Sequence, residues 1–224
     1  TAQLKRMRNL NPDEIFDQVA MLNKQSLEHF DRPLSNIVFM GMGEPMMNYP
    51  NVIKAIAKIT SSEGMGISPR RITVSTSGIP KMIIKMADEH PRFKLAVSLH
   101  SAIEETRNEI MPFSTSFPLT DLQDSIQYWF SKTKERVTYE YVVWKDINDS
   151  PAEIDALVRF CKKTPSKVNL IEYNPVGNHH FNQADDNAIN QYVTALEKNH
   201  IPITIRRSRG KDIDAACGQL ANKT

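Results

Sequence analysis

The chain of 224 residues contains little cysteine and no long hydrophobic run, and each shortage excludes a class of protein. Its two cysteines, Cys161 and Cys217, are too few for a disulfide-stabilised scaffold, so we expect a protein of the reducing cytoplasm. No apolar segment approaches the roughly 18 residues of a membrane span, and no signal-peptide pattern is present, so no membrane partner is expected. The chain begins at Thr1 rather than methionine, which is typical of a processed or partial product.

Several common catalytic motifs are missing as well. Neither a P-loop nor a G-x-G-x-x-G fingerprint occurs, so the usual phosphate-binding loops are not indicated. The adjacent His179 and His180 have no cysteine or second pair nearby, which predicts a polar loop rather than a metal site. The net charge of +2 indicates no particular partner, but short basic clusters of the kind that follow a phosphate backbone occur at Lys5–Arg8, Arg70–Arg71 and Arg206–Lys211.

Segments typical of strands and of helices alternate along the chain. Short apolar or β-branched runs between turn residues predict strands, and apolar residues recurring every three or four positions predict helices. The six predicted strands cover residues 37–40, 72–75, 94–99, 136–143, 168–173 and 202–206. This alternation predicts one α/β domain, residues 1–224, whose parallel sheet is built from right-handed crossovers and is either open or closed into a partial barrel.

The first predicted strand leads directly into Gly41-Met42-Gly43-Glu44-Pro45. The apolar run before these residues is typical of a strand buried on both faces. The two glycines let the backbone turn tightly and let a ligand approach the main chain. Glu44 is then placed to meet a cationic group of a small molecule, although an ordinary turn with a solvated glutamate fits the same residues.

Polar residues also follow the other predicted strands. In parallel α/β folds the functional site lies at the carboxyl ends of the strands, so these residues are expected at one rim. A single serine could cap a helix there, and a single histidine or cysteine could be structural, but the series as a whole predicts a binding site. After the first strand its members are Gly41, Gly43 and Glu44, and after the next two they are Ser75, Thr76, Ser77 and Gly78, then Ser98, Leu99, His100 and Ser101; Asn174 and Pro175 follow the fifth strand, and Asp212, Asp214 and Cys217 follow the last.

Five segments resemble one enzyme family: MGMGEP, SPRRITVSTSG, AVSLH, NLIEYNPV and RGKDIDAACGQL. In order and spacing, over essentially the whole chain, they are similar to the radical S-adenosylmethionine (SAM) enzymes that methylate adenine in RNA. The resemblance is greatest to the dual-specificity members, which methylate carbon 2 of adenine in 23S rRNA and tRNA. The adenine carbon-8 methyltransferases of ribosomal RNA share the DIDAACGQL ending and remain an alternative, but Pro45 and the STSG and RRSRG contexts favour carbon 2.

The resemblance implies a partial (β/α)6 barrel of the TIM-like, radical SAM type and a role for each site residue. Gly43 and Glu44 would bind SAM, with the carboxylate taking the methionine ammonium, and Cys217 would accept a methyl group from a first SAM. A second SAM would then be cleaved reductively, and its radical would take a hydrogen atom from that S-methyl group. The resulting methylene radical would add to adenine. The other implied SAM contacts are Ser75, Ser98, Leu99, His100 and Asn174.

The sequence departs from the family pattern at the iron–sulfur cluster. Family members hold a 4Fe-4S cluster with three cysteines of a CxxxCxxC loop, which would lie upstream of Thr1 together with the first barrel strand, the second catalytic cysteine and an RNA-binding domain. We therefore expect the core of a longer enzyme, inactive in this form, whose activity requires a reducing electron donor. A SAM- or RNA-binding module without catalysis is the competing interpretation. A barrel acting on a phosphate substrate is the third, supported only by Arg206–Gly210.

Overall fold

The computed structural model describes residues 8–41, 43–89, 91–174 and 181–207. Within these ranges helices and parallel strands alternate, as predicted. The α-helices are α1 (Pro12–Phe30), α2 (Tyr49–Thr60), α3 (Pro80–Asp88), α4 (Glu104–Ile110), α5 (Leu119–Thr133), α6 (Pro151–Lys162) and α7 (Asp186–Lys198). The strands are β1 (Ile37–Phe39), β2 (Ile72–Thr76), β3 (Lys94–Ser98), β4 (Val137–Val142), β5 (Ser166–Ile171) and β6 (Ile203–Arg206). No helix in the described ranges is long and apolar enough to cross a bilayer.

Two elements differ from the sequence prediction. The fifth strand, predicted at 168–173, begins and ends two residues earlier, so Asn174 lies three residues beyond its end. Helix α4 was not predicted, because its one buried side chain is the charged Arg107 rather than an apolar stripe. A helix of seven residues with a buried arginine carries no periodic hydrophobic signal.

The chain divides into two compact units. In the described ranges the smaller unit comprises residues between 8 and 76 together with 92–95, and the larger unit comprises residues 77–91 and those from 96 to 207. Strand β3 is divided between them, with Lys94 and Leu95 in the smaller unit. The assignment of residues 1–224 to a single domain remains a prediction.

The smaller unit is built on helices α1 and α2, which contact each other, and on the parallel pair β1–β2. Helix α1 begins with a reciprocal capping box, in which the Asn11 side chain accepts from the Glu14 amide and the Glu14 carboxylate accepts from the Asn11 amide, each at 2.9 Å. The prediction that β1 is buried on both faces is wrong, because Val38 is 51% exposed. The strand has only three residues and lies at the edge of the sheet, so one face is left uncovered.

In the larger unit the strands follow the order β3-β4-β5-β6, all parallel. One face of these strands is apolar, with Val97, Tyr139 and Leu170 almost fully buried. Helices α3 and α5 also contact each other and bury apolar side chains such as Ile83 and Ile126. Burial of this apolar surface, at about 25 cal/mol per Å², is the main stabilising contribution to the unit.

Candidate functional site

The larger unit presents four of the predicted site residues at the carboxyl ends of its strands. Ser98 is the last residue of β3, Leu99 and His100 follow it, and Asn174 lies just beyond β5. The Leu99 amide donates to the Glu140 carbonyl at 3.0 Å, which extends the ladder between β3 and β4 past Ser98. Leu99 and Asn174 are buried, whereas Ser98 and His100 are partly accessible.

The backbone and the imidazole ring of His100 are both fixed. Its φ of 59° lies in the left-handed region that non-glycine residues rarely adopt. Its Nδ1 accepts a hydrogen bond from the Val142 amide at 3.1 Å, so the neutral ring carries its proton on Nε2. Burial, with the nearby Arg107 charge, lowers the pKa of His100 to about 4. At neutral pH His100 is therefore an uncharged donor through Nε2.

The turn after β3 is held by the fully buried side chain of Asn148. Its Nδ2 donates to the carbonyl oxygens of His100 at 2.6 Å and Val142 at 2.8 Å. Its Oδ1 accepts from the Trp144 amide at 2.7 Å. One amide thus satisfies three backbone groups from the ends of β3 and β4, which otherwise would be buried without partners.

A second buried network supports the same turn. Ser101 Oγ donates to Glu153 Oε2 at 2.7 Å, and the Tyr141 hydroxyl lies 3.4 Å from that oxygen and 3.2 Å from the Tyr192 hydroxyl. Tyr192 in turn donates to the Asn148 carbonyl at 2.5 Å. Burial raises the pKa of both tyrosines, so their hydroxyls stay protonated. The network runs from α6 and α7 to the turn that carries His100.

The turn after β2 is held by Arg107 of α4. Its guanidinium is fully buried and donates through Nη2 to the Ser77 carbonyl at 2.7 Å. Burial lowers its pKa to about 10, so the group remains charged at neutral pH. The following residue must be glycine, because Gly78 has φ +98° and a Cβ there would lie 3.0 Å from Leu122 Cδ1.

The smaller unit carries Gly43, Glu44 and Ser75. Gly43 adopts φ +89°, which fits the predicted tight turn after β1. Glu44 caps the 3-10 helix Pro45–Asn48, with its Oε1 accepting from the Met46 amide at 3.0 Å. That helix contacts β2, in which Ser75 is buried. Strands β1 and β2 pair in parallel as far as Phe39 and Val74, so their carboxyl ends lie side by side within this unit.

The predicted chemistry of the last segment lies outside the described residues. Cys217, His179 and His180 all fall in ranges that the structure does not describe. Cys161 is a buried thiol of α6, and burial raises its pKa to about 12, which suits neither a nucleophile nor a metal ligand.

Two cofactors are implied by the family, and the described residues fit one of them. In the described part of the chain no three His, Cys, Asp or Glu side chains lie close enough to bind a metal ion, so these residues do not fit an iron–sulfur cluster. The strand ends do fit a nucleoside such as that of SAM. They offer a serine hydroxyl at Ser98, a fixed N–H donor at His100 and a row of buried polar side chains beside them.

Sequence reasoning missed a polar pair on the strands themselves. Asn169 Nδ2 donates to Glu140 Oε1 at 2.8 Å, and Arg206 Nη1 lies 3.4 Å from Glu140 Oε2. Burial raises the pKa of Glu140 above its usual value. Parallel strands are usually apolar on both faces. The polar residues at every second position of β4 and β5 were therefore the sequence signal that could have revealed this pair.

The chain is closely similar to curated proteins over its whole length. It is 66% identical over 224 residues to the "Probable dual-specificity RNA methyltransferase RlmN" of Christiangramia forsetii and 67% identical over 223 residues to that of Flavobacterium psychrophilum. In both comparisons the match covers all of this chain but only 64% of the relative. No protein-family profile matches the chain.

Solved structures show the same fold. The crystal structure of a radical SAM methyltransferase from Sphaerobacter thermophilus matches 95% of this chain and 62% of its own, with a TM-score of 0.91 and 39% identity. Streptococcus suis SuiB bound to SAM matches 92% of this chain and 45% of its own, with a TM-score of 0.64 and 16% identity, and so supports the fold alone. The expected fold class, a partial TIM-like α/β barrel of the radical SAM type, is confirmed.

Proposed function

We infer that this chain belongs to the RlmN family of radical SAM proteins, and on that basis we propose that it forms the catalytic core of an RNA adenine methyltransferase. The observation that carries the proposal is the 66% identity over all 224 residues to a protein named as a probable dual-specificity RNA methyltransferase. The proposed substrates are 23S rRNA and tRNA, and the proposed position is carbon 2 of adenine. Carbon 8 of ribosomal RNA adenine is the alternative.

The larger unit is proposed to bind the nucleoside part of SAM. Ser98 and His100 supply a hydroxyl and a neutral N–H donor from the end of β3, and Asn174 supplies an amide from beyond β5. Leu99 is fully buried between the two polar residues, and its amide continues the strand ladder. The buried amide of Asn148 keeps this turn in its left-handed conformation without a ligand, so little ordering is needed on binding.

The smaller unit is proposed to bind the methionine part. Gly43 leaves the main chain open, since no atom lies within 4 Å of where its Cβ would be. Glu44 would take the methionine ammonium, and a charge-assisted hydrogen bond of this kind is worth roughly 1.5–3 kcal/mol. The same carboxylate caps the 3-10 helix through Met46, so its backbone position is defined. Ser75, buried in β2, is the third proposed contact of this unit.

Cys217 is proposed as the residue that carries the methyl group. Its thiolate would attack the methyl carbon of a first SAM and release S-adenosylhomocysteine, and the resulting S-methyl group would then give up a hydrogen atom to the radical made from a second SAM. The reductive cleavage of that second SAM would require a 4Fe-4S cluster, whose ligands are not in this chain, and a reducing electron donor. The thiol suits this role because its sulfur accepts a methyl readily and tolerates an adjacent radical.

A chimera tests the proposal. This chain would replace the matching 64% of the Christiangramia forsetii protein, so that the remainder comes from a relative with 66% identity. We expect the chimera to restore methylated adenine to RNA in cells that lack their own enzyme, measured by mass spectrometry of the nucleosides. Cys217→Ala should abolish the product, whereas Cys161→Ala, the matched control at a buried thiol, should retain it.

The outcomes separate the competing functions. A chimera that binds SAM and RNA yet makes no methylated adenine would favour a binding module without catalysis. Methylation that survives Cys217→Ala would exclude the proposed S-methyl intermediate. A product methylated at carbon 8 would replace carbon 2 as the assigned position while leaving the family chemistry intact.

A further inference from the structure

One face of the strands in the larger unit is polar although it is largely buried. Parallel strands are normally apolar on both faces, because helices or a packed barrel interior cover them. The polar residues on this face from β3 to β6 are Ser98, Thr138, Glu140, Lys167, Asn169, Thr204 and Arg206, and the apolar Ala96, Val142 and Ile171 lie among them; Thr204 and Arg206, on the edge strand, are exposed. Thr138, Glu140 and Asn169 are each less than 10% exposed. A buried polar face of this kind indicates a surface that meets a polar ligand.

The centre of this face is level with Ser98. Ser98 is the register partner of Glu140, and Glu140 is the register partner of Asn169, so three neighbouring strands place these side chains in one row. Ser98 ends its strand at the proposed nucleoside site. Neighbouring strands lie about 4.8 Å apart, so the Glu140 and Asn169 positions begin within about 5–10 Å of Ser98.

The partners of Glu140 do not account for its burial. Among the described residues its carboxylate has one neutral amide at 2.8 Å and one half-exposed guanidinium at 3.4 Å, and the charge of Lys167 adds only a weaker attraction. Taking a carboxylate out of water costs several kcal/mol, and replacing such a group by a packed apolar side chain is often neutral or stabilising. The desolvation of Glu140 therefore points to a role in recognition rather than in stability.

We propose that Glu140 and Asn169 recognise the adenine ring of a bound adenosine. The exocyclic amine of adenine donates to the Glu140 carboxylate, and the Asn169 amide hydrogen that does not bond Glu140 donates to a ring nitrogen. Amide and carboxylate side chains are the ordinary partners of these base edges. The inference rests on the proposed function, because both SAM and the target RNA base carry this ring, and the same chemistry serves either source.

Binding to the purified chain tests the chemistry. Adenosine and purine riboside differ only by the exocyclic amine, so their affinity ratio measures recognition of that amine. We expect the wild-type chain to prefer adenosine by about tenfold or more, which is the usual strength of a charge-assisted hydrogen bond. Glu140→Gln should reduce the preference to near one. Thr164→Val, at a buried threonine between α6 and β5 that is not on this face, should leave it unchanged.

A swapped pair separates recognition from folding. Glu140→Gln with Asn169→Asp keeps one carboxylate and one amide in contact but exchanges their strands. If the pair only stabilises the sheet, the double variant should behave as wild type both in thermal unfolding and in adenosine preference. We expect the double variant to regain any melting temperature lost in Glu140→Gln. We expect its preference for adenosine over purine riboside to stay lost, because the carboxylate now lies one strand away from the adenine amine.

Two further ligands identify the source of the ring. If Glu140→Gln binds SAM more weakly than the wild type, the pair recognises the adenine of the cofactor. If the variant instead no longer distinguishes RNAs that carry adenosine or purine riboside at one position, the pair recognises the target base. The inference is overturned if the wild-type chain shows no preference for adenosine, or if Glu140→Gln retains it. An inactive chimera with a Glu140-dependent preference would contradict the proposed function alone.

Discussion

The two units of the molecule hold their candidate residues in different ways. In the larger unit His100 is fixed by Asn148, Val142 and the network behind Ser101, all of which are buried or partly buried. In the smaller unit Glu44 and Gly43 follow a three-residue edge strand, and Gly43 is exposed; apart from its neighbours in sequence, no described residue has an atom within 4 Å of the position that a Cβ would take. The larger unit holds His100 in a buried side-chain network, whereas the smaller unit presents Gly43 and Glu44 from a more exposed turn and buries only Ser75.

The two arrangements differ in whether the conformational entropy of the binding site is lost during folding or on ligand binding. A turn held by buried hydrogen bonds loses its freedom during folding, so ligand binding has less ordering to offset. A turn that is more exposed to solvent relies more on its backbone and on the ligand. We therefore expect substitutions in the larger unit to act mainly on stability, and those at the exposed turn to act mainly on affinity.

The largest expected effect is that of Asn148→Ala. It leaves the carbonyls of His100 and Val142 and the amide of Trp144 without their buried partner. At about 1–3 kcal/mol for each unsatisfied group, with partial relaxation, we expect unfolding free energy to fall by about 3–5 kcal/mol in denaturant titrations.

Asn51→Ala is the matched control in the smaller unit. Asn51 Nδ2 donates to the Leu10 carbonyl at 3.1 Å in an exposed contact and to Asn48 Oδ1 at 2.9 Å in a partly buried one. Water can reach these groups after the substitution, so the loss should stay below about 1.5 kcal/mol. Equal losses at the two asparagines would contradict the contrast between the units.

A smaller effect is expected from Gly78→Ala. The new Cβ would combine an unfavourable φ of +98° with contacts of 3.0 Å to Leu122 and 3.3 Å to Arg107, and we expect a loss of about 2–3 kcal/mol. Gly66→Ala in the smaller unit has φ +63° but no atom within 4 Å, so only the backbone penalty of about 1 kcal/mol applies. Thermal unfolding of both variants measures the difference between their losses of stability. That difference would vanish if the turn after β2 can shift to make room for the new Cβ.

The sequence predicted the elements well and the supporting contacts poorly. Strand patterns depend on which side chains are apolar, so all six strands were predicted within about two residues of their observed bounds. Arg107, Asn148 and Glu153 gave no such signal, because each is a polar residue whose burial depends on partners far away in sequence. Asn148 bonds the His100 carbonyl across 48 positions, a pairing that only the folded chain defines.

The candidate site also has features that the sequence predicts and features that only the folded chain defines. The positions at strand ends could be predicted, because in a parallel sheet the carboxyl ends of the strands lie at one edge. The exposure of Val38 and the burial of Glu140 and Asn169 could not be predicted, because the burial of each strand face depends on which elements pack against it in the folded chain. The alternation of polar and apolar residues in β4 and β5 shows that one face of these strands is polar. The same alternation is typical of a strand with one face in solvent, so it does not predict that the polar face is buried.

The smallest effect concerns the pH dependence that His100 gives the larger unit. Burial and Arg107 lower its folded pKa from 6.5 to about 4, so between these values the unfolded chain binds more protons than the folded chain. Stability contributed by neutral His100 is present above about pH 6.5 and is lost as the pH falls toward 4. We expect about 1–2 kcal/mol of this loss between pH 7 and pH 5.

His100→Asn removes the titrating group while keeping the local structure. The asparagine carbonyl can accept from the Val142 amide in place of Nδ1, and asparagine tolerates the φ of 59°. The gap in unfolding free energy between wild type and variant should therefore narrow or reverse as the pH falls from 7 to 5. His200→Asn, at an exposed position with φ 57°, controls for the substitution and should track the wild type. Parallel curves for His100→Asn and wild type would mean that the imidazole is solvated in the folded chain, and the turn after β3 would then be as open as the turn that presents Glu44.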